Sequence, residues 1–106
     1  SAGKQISGIP HDATTQATLV VANLDGVRST VSFALYDALG AEIGSGVLEL
    51  GANATRLRSI DDLFRGLASR PTPFRAVFAA AAIRFSAAAL VDHPASGEVR
   101  VLTATP

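Results

Sequence analysis

The stretch "FAAAAIRFSAAALV", Phe78 to Val91, holds seven alanines and two polar residues, and what it becomes decides the class of the whole chain. A membrane-spanning helix needs roughly 20 mostly apolar residues, and these fourteen are alanine-heavy and interrupted by Arg84. No membrane span is therefore expected in this segment. A soluble helix has more in its favour, because alanine has the best helix propensity and Thr72-Pro73 reads as an N-cap followed by proline. Against it, Arg75 and Asp92 would each oppose the helix dipole, and Arg84 and Ser86 would point to nearly opposite sides. At period two the residues sort into Phe74, Ala76, Phe78 and Ala80 on one face, and Ile83, Phe85, Ala87, Ala89 and Val91 on another. Two strands are the reading adopted, with a helix over 78–91 as the alternative. Their small side chains make a flat surface, which Ile60, Leu63 and Phe64, or a neighbouring copy, are expected to cover.

The rest of the chain supplies a β context. Ala17 to Leu24 is a β-branched apolar run ended by the turn signal "DG". In "RSTVSFALYD", Val31, Phe33 and Leu35 alternate with Thr30, Ser32, Ala34 and Tyr36, the pattern of a half-buried strand. "DALG" then turns the chain into "AEIGSGVLEL", and "GAN" after Leu50 is another turn. "GEVRVLT" sets Val99, Val101 and Thr103 against Arg100 and Leu102, one more strand. Short strands with regular turns point to a β-sandwich or barrel.

One segment breaks this rhythm. In "RSIDDLFRGL", Ser59 can cap a helix, Asp61 and Asp62 suit its positive end and Gly66 can stop it. Ile60, Leu63, Phe64 and Leu67 recur at helical spacing, so a short helix is expected near residues 59–66, across an open end or edge of the sandwich. Residues 1–14 are polar and Gly-rich and are expected to be an extended, partly loose extension, with a single domain over 15–106. The chain lacks Met and begins Ser1-Ala2-Gly3, as expected of a processed product or an excised piece.

The run "TLVVANLDGVRSTVSFALYDALGAEIGSGVLELGANATRLRSIDDLF" resembles an immunoglobulin-like β-sandwich repeat module of bacterial exported and cell-surface proteins. The resemblance rests on Asn23 at a strand end, Leu35-Tyr36-Asp37 with Gly40, Leu50 with Gly51, and Ile60-Asp61-Asp62-Leu63-Phe64, and it covers residues 17 to 104. It implies an all-β, antiparallel immunoglobulin-like sandwich, strands rather than a helix after Phe64, and an extracellular or cell-surface location in a bacterium. The chain departs from that family at Leu24, where proline is common, which is expected to lengthen the strand. It departs again at the alanines and Phe85, where glycine, polar residues and a proline are usual.

The chemical inventory is thin. Nine basic and nine acidic residues give zero formal net charge, so no basic face suggests nucleic acid, and without cysteine there is neither a disulfide framework nor a thiolate metal site. The two Asp/His pairs, His11-Asp12 and Asp92-His93, have the ligand types of a zinc site but read as solvated turn formers beside Pro10 and Pro94. Adjacent Asp61 and Asp62 diverge by about 100° on a helix and do not form an acid/base pair. No serine lies in a nucleophile elbow, and "GSG" at 44–46 lacks the lysine and helix of a phosphate loop and reads as a strand irregularity. Asn53 matches a glycosylation acceptor, a chance match in a bacterial protein. Asn23 is expected to bond backbone in its own turn.

No enzyme, cofactor or metal site is expected. A 48% hydrophobic content exceeds what one core needs, which favours a structural or adhesive interaction module. Its partners would be flanking domains of the same protein or another copy, as a homodimer. Tyr36, Ile60, Leu63, Phe64, Phe78 and Phe85 are the candidate interaction residues. The alternative is a ligand-binding module for carbohydrate or a metal ion, with Tyr36 the single stacking candidate.

Overall fold

In the computed structural model, which describes residues 3–80 and 84–106, the chain is an all-β sandwich of two four-stranded antiparallel sheets. The elements run β1 (Gly3–Ile9), β2 (Gln16–Asn23), β3 (Ser29–Tyr36), β4 (Glu42–Leu50), β5 (Thr55–Ser59), α1 (Ile60–Leu63), β6 (Phe74–Ala79), β7 (Phe85–His93) and β8 (Glu98–Thr103). The first sheet has the order β1-β6-β3-β4 and the second β5-β2-β7-β8. Among the described residues no helix is long and apolar enough to cross a membrane.

The opening stretch forms strands. β6 buries Phe74, Ala76 and Phe78, and β7 buries Phe85, Ala87, Ala89 and Val91, as alternation requires. Ala80 is also buried, while Ile83 lies outside the described residues. Ala80, Ala87 and Ala89 face the core, in one cluster with Ile60 and Phe64, whereas Ala79 and Ala88 lie on the outer sides of their sheets. The first sheet contributes Phe33, Leu35, Leu48, Leu50, Phe74 and Phe78, and the second contributes Ala17, Leu19, Val21, Ala87 and Ala89, to one core cluster. The phenylalanines of the first sheet opposite the alanines of the second, where Phe85 and Leu19 supply the larger side chains, let the two sheets close to native packing density.

The helix is a single turn. Ser59 Oγ accepts from the Asp61 N–H at 3.2 Å, and Asp61 and Asp62 occupy the first turn, but Phe64 is already extended. Its ring turns into the core, meeting Phe33 edge-on at 5.7 Å. The two glycines of "GSG" make room for these rings. A Cβ at Gly44 would lie 2.9 Å from Phe64 Cδ1, and one at Gly46 would lie 2.8 Å from Phe33 Cζ. β4 therefore cannot carry side chains there without displacing an aromatic.

Two further expectations change. Residues 3–9 are not a loose extension: β1 pairs with β6 and places Ile6 and Ile9 in the core. The three-residue spacing of those isoleucines crosses a register shift at Ile6/Ile9, with Gly8 at φ 75°, so strict alternation does not reveal the strand. β2 ends at Asn23, and Leu24 lies beyond it, exposed.

Candidate functional site

The inner faces of the sheets are consumed by the core, so a site must lie on an outer face, an edge or a loop. Of the candidate interaction residues, Ile60, Phe64, Phe78 and Phe85 are buried in the core and present no surface. Leu63 is half-buried and packs against the same core. Tyr36 is on the outer face of the first sheet, but the Arg75 guanidinium sits over its ring at 4.6 Å, so the aromatic face is taken.

The outer face of the second sheet is the outstanding surface. Strand register places Leu57, Val20, Ala88 and Thr103 in one cross-strand row, and Ser59, Thr18, Leu90 and Val101 in the next. Val99 continues the apolar edge beside Asp92. Leu57, Val99 and Val101 are 53%, 59% and 58% exposed, while Val20, Ala22, Ala88 and Leu90 between them are half-buried by their neighbours. An antiparallel sheet facing water ordinarily alternates apolar-in with polar-out. β2 and β7 instead carry apolar residues on both sides along their middle, with Val20 and Ala22 outward on β2 and Ala88 and Leu90 outward on β7, between the polar Gln16, Thr18, Ser86 and Asp92. Asp92, at the margin, is the one ionisable residue of this outer face among the described residues. With strands about 4.8 Å apart and residue pairs rising about 6.8 Å, the apolar rows cover on the order of 300 Å². That is the size at which an apolar patch on a monomer is often functional.

A second feature is an open groove of about 580 Å³ beside α1, lined by His11, Asp61, Asp62, Phe64, Arg65, Gly66, Leu67 and Ala68. His11 Nε2 lies 2.8 Å from Asp61 Oδ1, and its ring packs 5.6 Å from Phe74. The two Asp/His pairs of the sequence are thus split. His11 engages Asp61, while His93 Nδ1 meets Thr15 Oγ1 at 3.2 Å and Asp12 caps the Thr14 N–H at 2.8 Å. Neither histidine is a solvated turn residue. Among the described residues no three His, Cys, Asp or Glu side chains gather as a metal site.

The buried polar groups serve the loops. Asn23 Nδ2 donates to the Val27 and Gly51 carbonyls at 2.8 and 3.1 Å, and its Oδ1 accepts from the Asp25 N–H at 2.9 Å, tying two turns together. Asp25 in turn accepts from the Arg84 N–H and guanidinium, which hold its carboxyl below the usual carboxylate range. Burial pushes Asp37 up, but the N–H groups of Ala41 and Leu39 and the Arg70 guanidinium outweigh it and hold Asp37 low as well.

In the sequence the apolar face is masked by the largest side chains, which the core claims first. Its signal was present in "ATLVVANL" and "AAALV", where the residues between the core positions are also apolar. Compared with known proteins, the chain matches no family model, no curated protein and no solved structure.

Proposed function

We propose that this domain is a non-catalytic structural or adhesive interaction module of a larger exported bacterial protein, of the immunoglobulin-like repeat kind its sequence resembles. It works at the cell surface or outside the cell. The observation that carries this reading is the outer face of the second sheet, where Val20, Leu57, Ala88, Leu90, Val99 and Val101 form a nearly uncharged apolar surface. The core of a protein interface is likewise depleted of charge and apolar, with a polar rim. A flanking domain or a second copy packing there would cover it. The roughly 300 Å² patch is the centre of a contact that, at the usual size of about 800 Å² per partner, would also engage its rim.

The test is sedimentation of the domain, alone and joined to its neighbouring segments, with Leu90→Lys as the probe. Concentration-dependent association or docking of a neighbour, lost in the variant while the fold is kept, supports the reading. A domain that stays solvated on this face in both settings overturns it.

The groove at His11, Asp61 and Arg65 favours a second reading, a ligand-binding module for carbohydrate or a metal ion. Thermal shift with a panel of divalent ions and a glycan array tests it. Absence of stabilisation and of binding ends it.

A further inference from the structure

Each sheet of an open sandwich has two edges, and the four edges of this protein are not treated alike. An exposed edge is a template for another strand, which proteins ordinarily block with inward-pointing charges, bulges, shortness or a covering segment. β5 has five residues and aligns Arg56 and Arg58 with the core-facing Val21 and Leu19, so both cations sit on the inner side of the edge. β8 aligns Arg100 with the core-facing Val91 in the same way. β1 aligns Lys4 with the buried Phe78 and carries a register shift. Its Gln5 also exchanges backbone hydrogen bonds of 2.8 and 2.9 Å with Thr105, which covers part of the edge.

β4 has none of these devices along most of its length. It is nine residues long, and its inward positions are Gly44, Gly46, Leu48 and Leu50, without a charge. One register shift, at Leu35/Tyr36, blunts only its start. Among the described residues, no backbone hydrogen bond joins Glu42–Leu50 to anything but β3. On the outward side Val47 is 65% exposed, flanked by Ser45 and Glu49.

We propose that the β4 edge pairs antiparallel with β4 of a second copy of this chain, joining two first sheets into one eight-stranded sheet across a two-fold axis at Val47. This inference does not rest on the apolar face, which belongs to the other sheet. Self-pairing is favoured by what the two-fold places opposite what. Val47 meets its own counterpart, Ser45 meets Glu49 of the second copy and offers its hydroxyl to that carboxylate, and Gly46 and Gly44 meet Leu48 and Leu50. Large residues face small ones, and no glutamate faces a glutamate. A parallel in-register pairing would instead set Glu49 against Glu49. The contact area of a single strand pair is small, so the dimer is weak and reversible.

Sedimentation equilibrium between roughly 10 µM and 1 mM tests this, a range suited to weak interfaces. The expected result is a monomer–dimer equilibrium that Val47→Lys weakens by roughly tenfold, because two lysines then meet on the axis. Ser45→Lys, which faces Glu49 of the second copy, is expected to tighten it a fewfold. Both positions are outward on an edge, and circular dichroism checks that the fold is kept. A chain that is monomeric throughout overturns the proposal, as does a dimer indifferent to both variants. A dimer lost in Leu90→Lys but kept in Val47→Lys assigns self-association to the apolar face instead. Binding of an unrelated extended peptide to a monomeric chain replaces the second copy as the occupant.

Discussion

The two sheets of this protein present opposite chemistry to solvent. On the first, Arg75 lies over Tyr36 and bonds Gln5, Arg28 pairs with Glu49 at 2.9 Å, and Ser32 donates to the Ala79 carbonyl. On the second, the corresponding rows set Val20, Leu57, Ala88, Leu90 and Val101 among the uncharged Thr18, Ser59 and Thr103. Inside, the contrast runs between large and small, with Phe33, Phe74 and Phe78 on the first sheet and Ala17, Ala87 and Ala89 on the second, where Phe85 is the one phenylalanine. The first sheet is finished on its outer side, whereas the second is built as though another layer lay on it. The edges follow a different division: both edges of the second sheet carry inward cations, so contact there goes through the face. In the first sheet it is the β4 edge that is left open.

The largest expected effect separates inside from outside within one strand. Phe78→Ala, which empties a fully buried position of β6, is expected to cost about 3–5 kcal/mol, while Val77→Ala on the outer side costs far less. Equal losses in chemical denaturation would mean that the strand register is wrong. Next comes the apolar face: Leu90→Lys is expected to weaken association there by roughly thirtyfold or more, with little change in the stability of the domain alone. Tyr36→Ala, on the polar sheet, is expected to leave association unchanged. If the two variants behave alike, the difference between the faces has no functional meaning. Smaller again is a pair on β7. Ala89→Leu overpacks the core by about 1–3 kcal/mol, whereas Ala88→Leu enlarges the outer apolar patch and is expected to be neutral for stability. A destabilising Ala88→Leu would show that the outer face is already packed.

These contrasts also explain what could be read from the chain and what could not. Period-two alternation in β3 is visible because it has one polar and one apolar side, and the turn at "DG", which crosses between the sheets, and the hairpin turn at "DALG" carry their own backbone chemistry. β1 is not visible, because its register shift breaks the period and its covering partner, Thr105, is a hundred residues away in sequence. The helix at Ser59 was legible from its cap and acidic first turn, but its length was not. Phe64 leaves the helix to fill space created by glycines on β4, a tertiary demand that local spacing does not encode. Four of the six candidate interaction residues are buried for a similar reason. Ile60, Phe64, Phe78 and Phe85 are the apolar side chains the core selects, and the surface is made of smaller ones at intervening positions.

The smallest effect expected is a pH dependence seated in the loops, and it too differs between the sheets. Asp37 follows β3 in the first sheet, and Asp25 follows β2 in the second. Both carboxyls are held below the usual range. Each therefore contributes stability that is present above the ordinary aspartate value of about 3.9 and is lost as the pH falls through the folded-state value. For these two groups stability is flat above about pH 5 and declines in acid. Asp37 is the more enclosed of the two, and it holds the Leu39 and Ala41 N–H groups that shape the turn into β4. Asp37→Asn keeps one oxygen acceptor but loses the charge that Arg70 meets. Denaturation between about pH 5 and pH 2 is expected to show a shallower acid decline in Asp37→Asn than in Asp25→Asn, whose ion pair with Arg84 is more exposed and more screened. An acid decline unchanged in Asp37→Asn would place the titrating groups elsewhere. It would also leave the turn into the open β4 edge held by geometry rather than by charge.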